Sequence, residues 1–201
     1  VKSHNMRKTV LITGATSGIG EATAIKFAEA TDRLIITGRR KDRLNDLTEH
    51  LVQEYGIDVL PLCFDVRDLR QVNKHLGHLP EEWQKVDILV NNAGLAAGLG
   101  HIDEGDIDDW DRMMDTNVKG LLYVTRAIVP GMVSRKSGHI INISSIAGKE
   151  IYENGSVYCA SKHAVDALSK GMRIDLLKHG IKVTNIAPGM VETEFSLVRF
   201  R

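Results

Sequence analysis

Tyr158 and Lys162 stand four residues apart in the run Y-C-A-S-K, and Ser145 lies upstream of them in N-I-S-S-I-A-G. On a helix this spacing puts the phenol and the ammonium on one face, where the cation favours the phenolate and lowers the tyrosine pKa. A tyrosine tuned in this way can act as acid or base near neutral pH. A second chemical feature, T-G-A-T-S-G-I-G from Thr13 to Gly20, directly follows an apolar run. There Gly14 can make a tight turn, Gly18 lets backbone approach a pyrophosphate, and Gly20 allows close helix–strand packing. With Thr16, Ser17 and Ile19 between the glycines, the loop opens a helix whose N-terminus offers amides and a partial positive charge to an anion.

Past the glycines, the next apolar run ends I-I-T-G-R-R, where a carboxylate that holds the ribose of NAD would otherwise be expected. Arg39 and Arg40 can instead pair with a 2′-phosphate in a charge-assisted, bidentate manner. NADP(H) is therefore the expected cofactor, in preference to NAD.

These residues must be positioned by a regular scaffold. Short β-branched runs alternate with longer helical patterns, which predicts βα units and a parallel sheet. The expected strands are Thr9–Thr13, Leu34–Thr37, Asp58–Cys63, Ile88–Asn91, His139–Ile143 and Lys182–Ile186, each mostly apolar, as strands covered on both faces should be. The expected helices are Gly20–Ala30, Arg40–Tyr55, Leu69–Leu76, one long helix Asp108–Val133, and Val157–Lys178.

Taken together, the motifs resemble the classical short-chain dehydrogenase/reductase family, in that family's order, from about Lys8 to Thr193. The resemblance implies a Rossmann-type α/β fold, a doubly wound parallel sheet in a single domain over residues 6–201. It implies a catalytic tetrad of Asn117, Ser145, Tyr158 and Lys162. In it Tyr158 handles the proton, and Lys162 lowers the tyrosine pKa and holds the nicotinamide ribose. Ser145 fixes the substrate oxygen, and Asn117 keeps a water that connects Lys162 to solvent. Asp65 and Val66 resemble the adenine contact, and Asn92, Ala93 and Gly94 resemble the turn that lies along the cofactor, with Asn91 steadying the sheet. Pro188, Gly189, Val191 and Thr193 match the segment beside the nicotinamide amide. The family also pairs the two long helices between subunits, so a homodimer or homotetramer is implied.

The family's members continue past the point where this chain stops with a substrate-covering segment and a seventh strand, which are expected to be missing here. Val1 to Asn5, ahead of Met6, read as the remnant of a tag.

Family and tetrad do not choose a substrate. The stretches Ser145 to Lys162 and Val191 to Arg201 resemble the NADP-dependent serine and 3-hydroxy acid dehydrogenases, which act on L-serine, L-allo-threonine and related hydroxy acids. A small anionic substrate would want a cation, and Lys149, Arg199 and Arg201 are the candidates. Two other readings stay open. One is a reductase of bulkier carbonyls such as 3-oxoacyl thioesters, sugars or xenobiotic ketones; the other is a non-catalytic NADP-binding regulator.

Composition sets outer limits. With 26 Lys and Arg against 26 Asp and Glu, no global field draws the chain to nucleic acid or an anionic membrane. A length of 201 residues suits one domain. Cys63 and Cys159 share neither a redox nor a zinc spacing, and the latter reads as a small residue filling a helix position. The histidines show no metal-ligand spacing, and the acidic run Asp103 to Asp111 reads as a solvated loop and helix start. No apolar stretch reaches membrane-spanning length and no signal sequence opens the chain, so a cytoplasmic location is expected.

Overall fold

The computed structural model describes residues 8–191, and Thr193, Arg199 and Arg201 lie outside them. Six strands, β1 (Thr9–Ile12), β2 (Arg33–Gly38), β3 (Asp58–Cys63), β4 (Val86–Asn91), β5 (Gly138–Ile143) and β6 (Ile181–Ile186), form one sheet in the order β3-β2-β1-β4-β5-β6. Every pairing is parallel. Each expected strand falls within two residues of an observed one.

The sheet is held by side chains that alternate between its faces. Leu11 pairs with Ile35 on one side and Leu89 on the other, and Leu89 with Ile140, so four fully buried residues cross the sheet in one row. Burying each such side chain contributes about 1.5–3 kcal/mol. That face is covered by α3 (Leu69–Leu76) and α5 (Leu121–Arg135), through Val72, Leu76, Val124, Ile128 and Met132. Val10, Ile12, Leu34, Ile36 and Val90 face the other way. They meet Ala24 and Ala28 of α1 (Gly18–Ala28) and Leu44, Leu47 and Leu51 of α2 (Lys41–Tyr55). Pro61 lies in β3, the outermost strand, where a missing amide is tolerated.

One expected element is different in kind. The stretch read as a single helix Asp108–Val133 is α4 (Ile107–Met114), a wider π-helical segment Asp115–Gly120, and α5. Asn117, inside the π segment, exchanges two hydrogen bonds with the backbone of Leu95 at 2.7 and 2.8 Å. Close by, a Cβ on Gly120 would stand 2.8 Å from Val66 Cγ2, so the helix approaches the end of β3 closely there. Contacts with a distant loop thus override the α-helical repeat, as happens at π-bulges near functional sites. The last helix, α6 (Ser156–Leu176), turns Tyr158, Ser161, Lys162, Val165, Asp166 and Ser169 inward.

No helix among the described residues is long and apolar enough to cross a membrane.

Candidate active site

The strand order reverses between β1 and β4, which leaves a crevice at their carboxyl ends. A cleft of about 630 Å³ opens there. It gathers Gly14, Thr16, Ser17, Gly18 and Ile19 from the glycine loop, Arg39 and Arg40 from the end of β2, and Asp65 and Val66 from the end of β3. Asn92, Ala93 and Gly94 join them, with Ser145, Tyr158 and Lys162 and, at the far end, Pro188, Gly189 and Val191. Gly20 and Asn117 stand behind this lining and brace it.

The glycine loop is built by steric necessity. Gly14 and Gly18 have φ of 66° and 56°, a left-handed conformation natural to glycine. A Cβ on Gly14 would lie 2.8 Å from Ala93 Cα, and one on Gly20 would lie 2.2 Å from Gly14 O. Asn92 locks the approach, its Nδ2 donating to the carbonyls of Thr13 and Gly14 at 2.9 and 3.1 Å. Thr13 Oγ1 accepts from the amides of Asn92 and Ala93, both at 3.0 Å. Gly20→Ala is therefore expected to cost about 1–3 kcal/mol and to open the loop, lowering the melting temperature and weakening cofactor binding together. Thermal melts with and without cofactor check it; an unchanged melt would show that the loop yields without strain.

At the start of α1 the Ser17 side chain makes no capping bond. Its hydroxyl accepts instead from Arg40 Nη2 at 2.7 Å, and the same nitrogen reaches Thr16 O at 3.1 Å and Thr16 Oγ1 at 3.2 Å. Arg40 thus ties the end of β2 to the glycine loop. Arg39, an exposed residue lining the cleft, lies 3.9 Å from Asp65 Oδ2. Asp65 is held by Arg67, a residue the motifs did not single out.

The reacting end is organised by α6. Tyr158 and Lys162 are both buried, and Lys162 Nζ sits 5.9 Å from the Tyr158 ring centre. That ammonium donates to Ile143 O at 3.0 Å, and burial pushes its pKa down to about 8. Ser145 accepts from the Ala147 amide at 3.1 Å, a bond that leaves its own O–H hydrogen unused. Asn117 Nδ2 also donates to Ser161 Oγ at 2.9 Å, and Ser161 donates to Tyr158 O at 2.7 Å. A Cβ on Gly94 would stand 3.5 Å from both Asn117 Oδ1 and Lys162 Nζ, so the turn after β4 passes close to both. Beneath it, Asn91 donates to Thr125 Oγ1 and Asn142 Oδ1, and Asn142 to Ser169 Oγ, a buried polar chain from β4 through β5 to α6. Cys159 packs as a buried residue beside Tyr158.

Lys149 does not point into the cleft. Its ammonium bonds Asp166 at 2.5 Å, and that carboxylate also takes Lys170 at 2.8 Å and Asn185 Nδ2 at 2.9 Å. A nearby partner on α6 captures the cation expected for the substrate. The bonds from Lys149 and then Lys170 hold the Asp166 carboxyl down to about 2. A depressed carboxyl contributes stability that is complete above its unfolded value of about 3.9 and fades as the pH falls through its folded value. Both lysines are well exposed, so Asp166→Asn should cost only about 1 kcal/mol at pH 7 and only a small part of that at pH 2. Melting curves of both proteins across that range should converge at acid pH, and a constant gap would mean that packing, not charge, is lost.

The residues present suit a phosphorylated dinucleotide. The uncapped start of α1, the close-packed glycines and Arg39 offer donors and positive charge to phosphates. The buried hydroxyls of Thr37 and Thr116, both lining the cleft, have no hydrogen-bond partner among the described residues.

Residues 8–199 match the short chain dehydrogenase family. The chain is 48% identical over 193 residues to the NADP-dependent 3-hydroxy acid dehydrogenase YdfG of Salmonella typhi, covering 96% of this chain and 76% of the relative. It is 43% identical over 194 residues to the NADP-dependent 3-hydroxy acid dehydrogenase of Schizosaccharomyces pombe, covering 96% and 75%. The solved closed form of serine dehydrogenase complexed with NADP+ superposes with a TM-score of 0.89 at 47% identity, covering 96% of this chain and 76% of that one. With the family match over residues 8–199 and 48% identity to a relative across 96% of its length, the chain belongs to the short-chain dehydrogenase family.

Proposed function

We propose that the protein is an NADP-dependent dehydrogenase that interconverts small 3-hydroxy acids, L-serine or L-allo-threonine among them, and the matching carbonyl compounds. The observation that carries this reading is the convergence of Ser145, Tyr158 and Lys162 on one end of a cleft whose other end is the glycine loop and Arg39. The relatives named NADP-dependent 3-hydroxy acid dehydrogenase support the substrate class.

In this reading, Gly14, Thr16, Ser17, Gly18 and Ile19 hold the pyrophosphate, and Gly20 keeps the loop closed. Arg39 takes the 2′-phosphate, while Arg40 stiffens the loop and adds charge. Asp65 and Val66 face the adenine, Asn92 to Gly94 line the middle, and Pro188, Gly189 and Val191 lie at the nicotinamide. When bound, NADP(H) supplies or accepts the hydride.

The chain's own residues handle the rest. Tyr158 takes the proton of the substrate hydroxyl during oxidation and returns it during reduction. Lys162, with a pKa pushed down to about 8 by burial, lies close enough to its working charge change to pass a proton onward. Ser145 donates to the substrate oxygen as charge develops on it. Asn117 is a positioning residue, fixing the loop at Leu95 and, through Ser161, the helix at Tyr158. Residues 6–201 act as one domain. Homodimers or tetramers formed through α4, α5 and α6, working in the cytoplasm, complete the proposal; Met114 and Leu122, exposed apolar residues on these helices, support it.

The test is absorbance at the reduced-nicotinamide band with L-serine, L-allo-threonine and 3-hydroxybutyrate, each with NADP+ and with NAD+. Reduction of NADP+ by these acids, with little from NAD+, is expected. Silence with all three, together with NADPH oxidation by larger ketones, would keep the family and replace the substrate.

A further inference from the structure

Asp65 presents a carboxylate to the same end of the cleft that Arg39 serves, and an unbalanced negative charge there would work against a phosphate. Arg67 balances it. Its Nε donates to both carboxylate oxygens at 3.1 and 2.9 Å, its Nη2 to Oδ2 at 2.6 Å, and its amide to Oδ1 at 3.0 Å. Arg39 reaches that Oδ2 only to 3.9 Å. Two guanidinium groups thus share one carboxylate, and the tighter one is Arg67, two residues along the same turn.

We propose that Arg67 is a specificity-determining positioning residue, one that saturates Asp65 and so leaves the Arg39 guanidinium to the 2′-phosphate of the cofactor. The proposal rests on the reading of NADP(H) as cofactor. Burial raises the Asp65 carboxyl, but the Arg67 bonds outweigh that and hold it below its ordinary value, so it is ionised at neutral pH. Its charge must therefore be met by some cation. With Arg67 present the cluster of Arg39, Arg67 and Asp65 has one net positive charge; without it the cluster is neutral, and Asp65 draws Arg39 into a close pair. Asp65 thereby has two states of consequence. Gripped by Arg67, its charge is met and Arg39 is left to the phosphate. Released, it competes with phosphate for Arg39. A planar guanidinium suits the grip because two of its nitrogens meet the two oxygens together.

Calorimetric titration of the chain with NADP+ and with NAD+ tests this, the quantity read being the ratio of the two affinities. Arg67→Gln should weaken NADP+ by about tenfold, the scale of one charge-assisted hydrogen bond, and leave NAD+ nearly unchanged. Arg67→Lys, which keeps the charge, should retain most of the preference. Adding Asp65→Asn to Arg67→Gln should restore the ratio, because no carboxylate is left to capture Arg39. Equal losses for both cofactors in Arg67→Gln would overturn the proposal in favour of a role in adenine placement or folding, as would a ratio that Asp65→Asn fails to restore. Unchanged NADP+ preference in Arg67→Gln would overturn it while leaving the cofactor reading intact. A parent protein that shows no preference for NADP+ would remove both.

Discussion

Tyr158→Phe is expected to lower kcat by about a hundredfold to ten-thousandfold, the range that one positioned acid–base group supplies, while NADPH binds as before. The substitution removes one oxygen from a ring that is otherwise buried beside Lys162. The ring's packing with Leu95, Ala96, Met113 and Cys159 is kept, so the fold should be preserved. An interaction used only as the proton moves should depress kcat and kcat/KM alike and leave cofactor affinity alone. Single-turnover rates and NADPH fluorescence titration separate these quantities. Loss of both turnover and binding would make Tyr158 a structural residue; retention of turnover would move the proton chemistry elsewhere.

Lys162→Met is expected to abolish turnover to a similar degree and, in the protein without cofactor, to raise the melting temperature at pH 7. The reason is the cost of burying the ammonium. Its pKa falls from 10.5 to about 8 on folding. Between those values the unfolded chain binds more protons than the folded one, so stability rises with pH across that window and the full cost applies below it. The shift corresponds to about 3 kcal/mol, and losing the bond to Ile143 O removes about 1 kcal/mol of it, which leaves a gain of roughly 5 °C. The advantage of the variant should shrink above pH 8 and be gone by about pH 10.5, where the folded lysine is neutral and the unfolded one has lost about half of its charge. A variant less stable than its parent at every pH would show that the ammonium is well solvated by its neighbours. Stability given up at a working residue is a common feature of active sites, and this lysine is the clearest instance in the chain.

Much of this was legible in the sequence because the signals are local. A strand in a parallel sheet is buried on both faces and reads as a short apolar run, which is why Leu34 to Thr37 and His139 to Ile143 stand out. The Tyr158–Lys162 spacing survives because α6 is a regular helix there, and the glycine loop because its spacing is dictated by contacts within a few residues. What was not legible depends on distant partners. The π segment at Asn117 follows from bonds to Leu95, 22 residues away, and to Ser161, 44 residues away. Lys149 looked available to a substrate until the fold brought Asp166 to it, 17 residues on. Arg39 and Arg40 are neighbours with the same side chain, yet one faces the cleft beside Asp65 and the other is bonded to the loop at Thr16 and Ser17. Arg67 does not stand out in the sequence because an arginine two residues after an aspartate is an ordinary pattern; its importance lies in the shared carboxylate, which only three dimensions reveal.

Hydride should pass directly between the hydroxyl-bearing carbon of a 3-hydroxy acid and the nicotinamide ring. Oxidation of 3-hydroxybutyrate carrying deuterium at C3, followed by mass spectrometry of the reduced cofactor, tests it. Deuterium recovered on the cofactor, with none from solvent deuterium when unlabelled substrate is used in heavy water, is the predicted result. Reduced cofactor that carries solvent hydrogen, or no reduced cofactor from any 3-hydroxy acid, would contradict it.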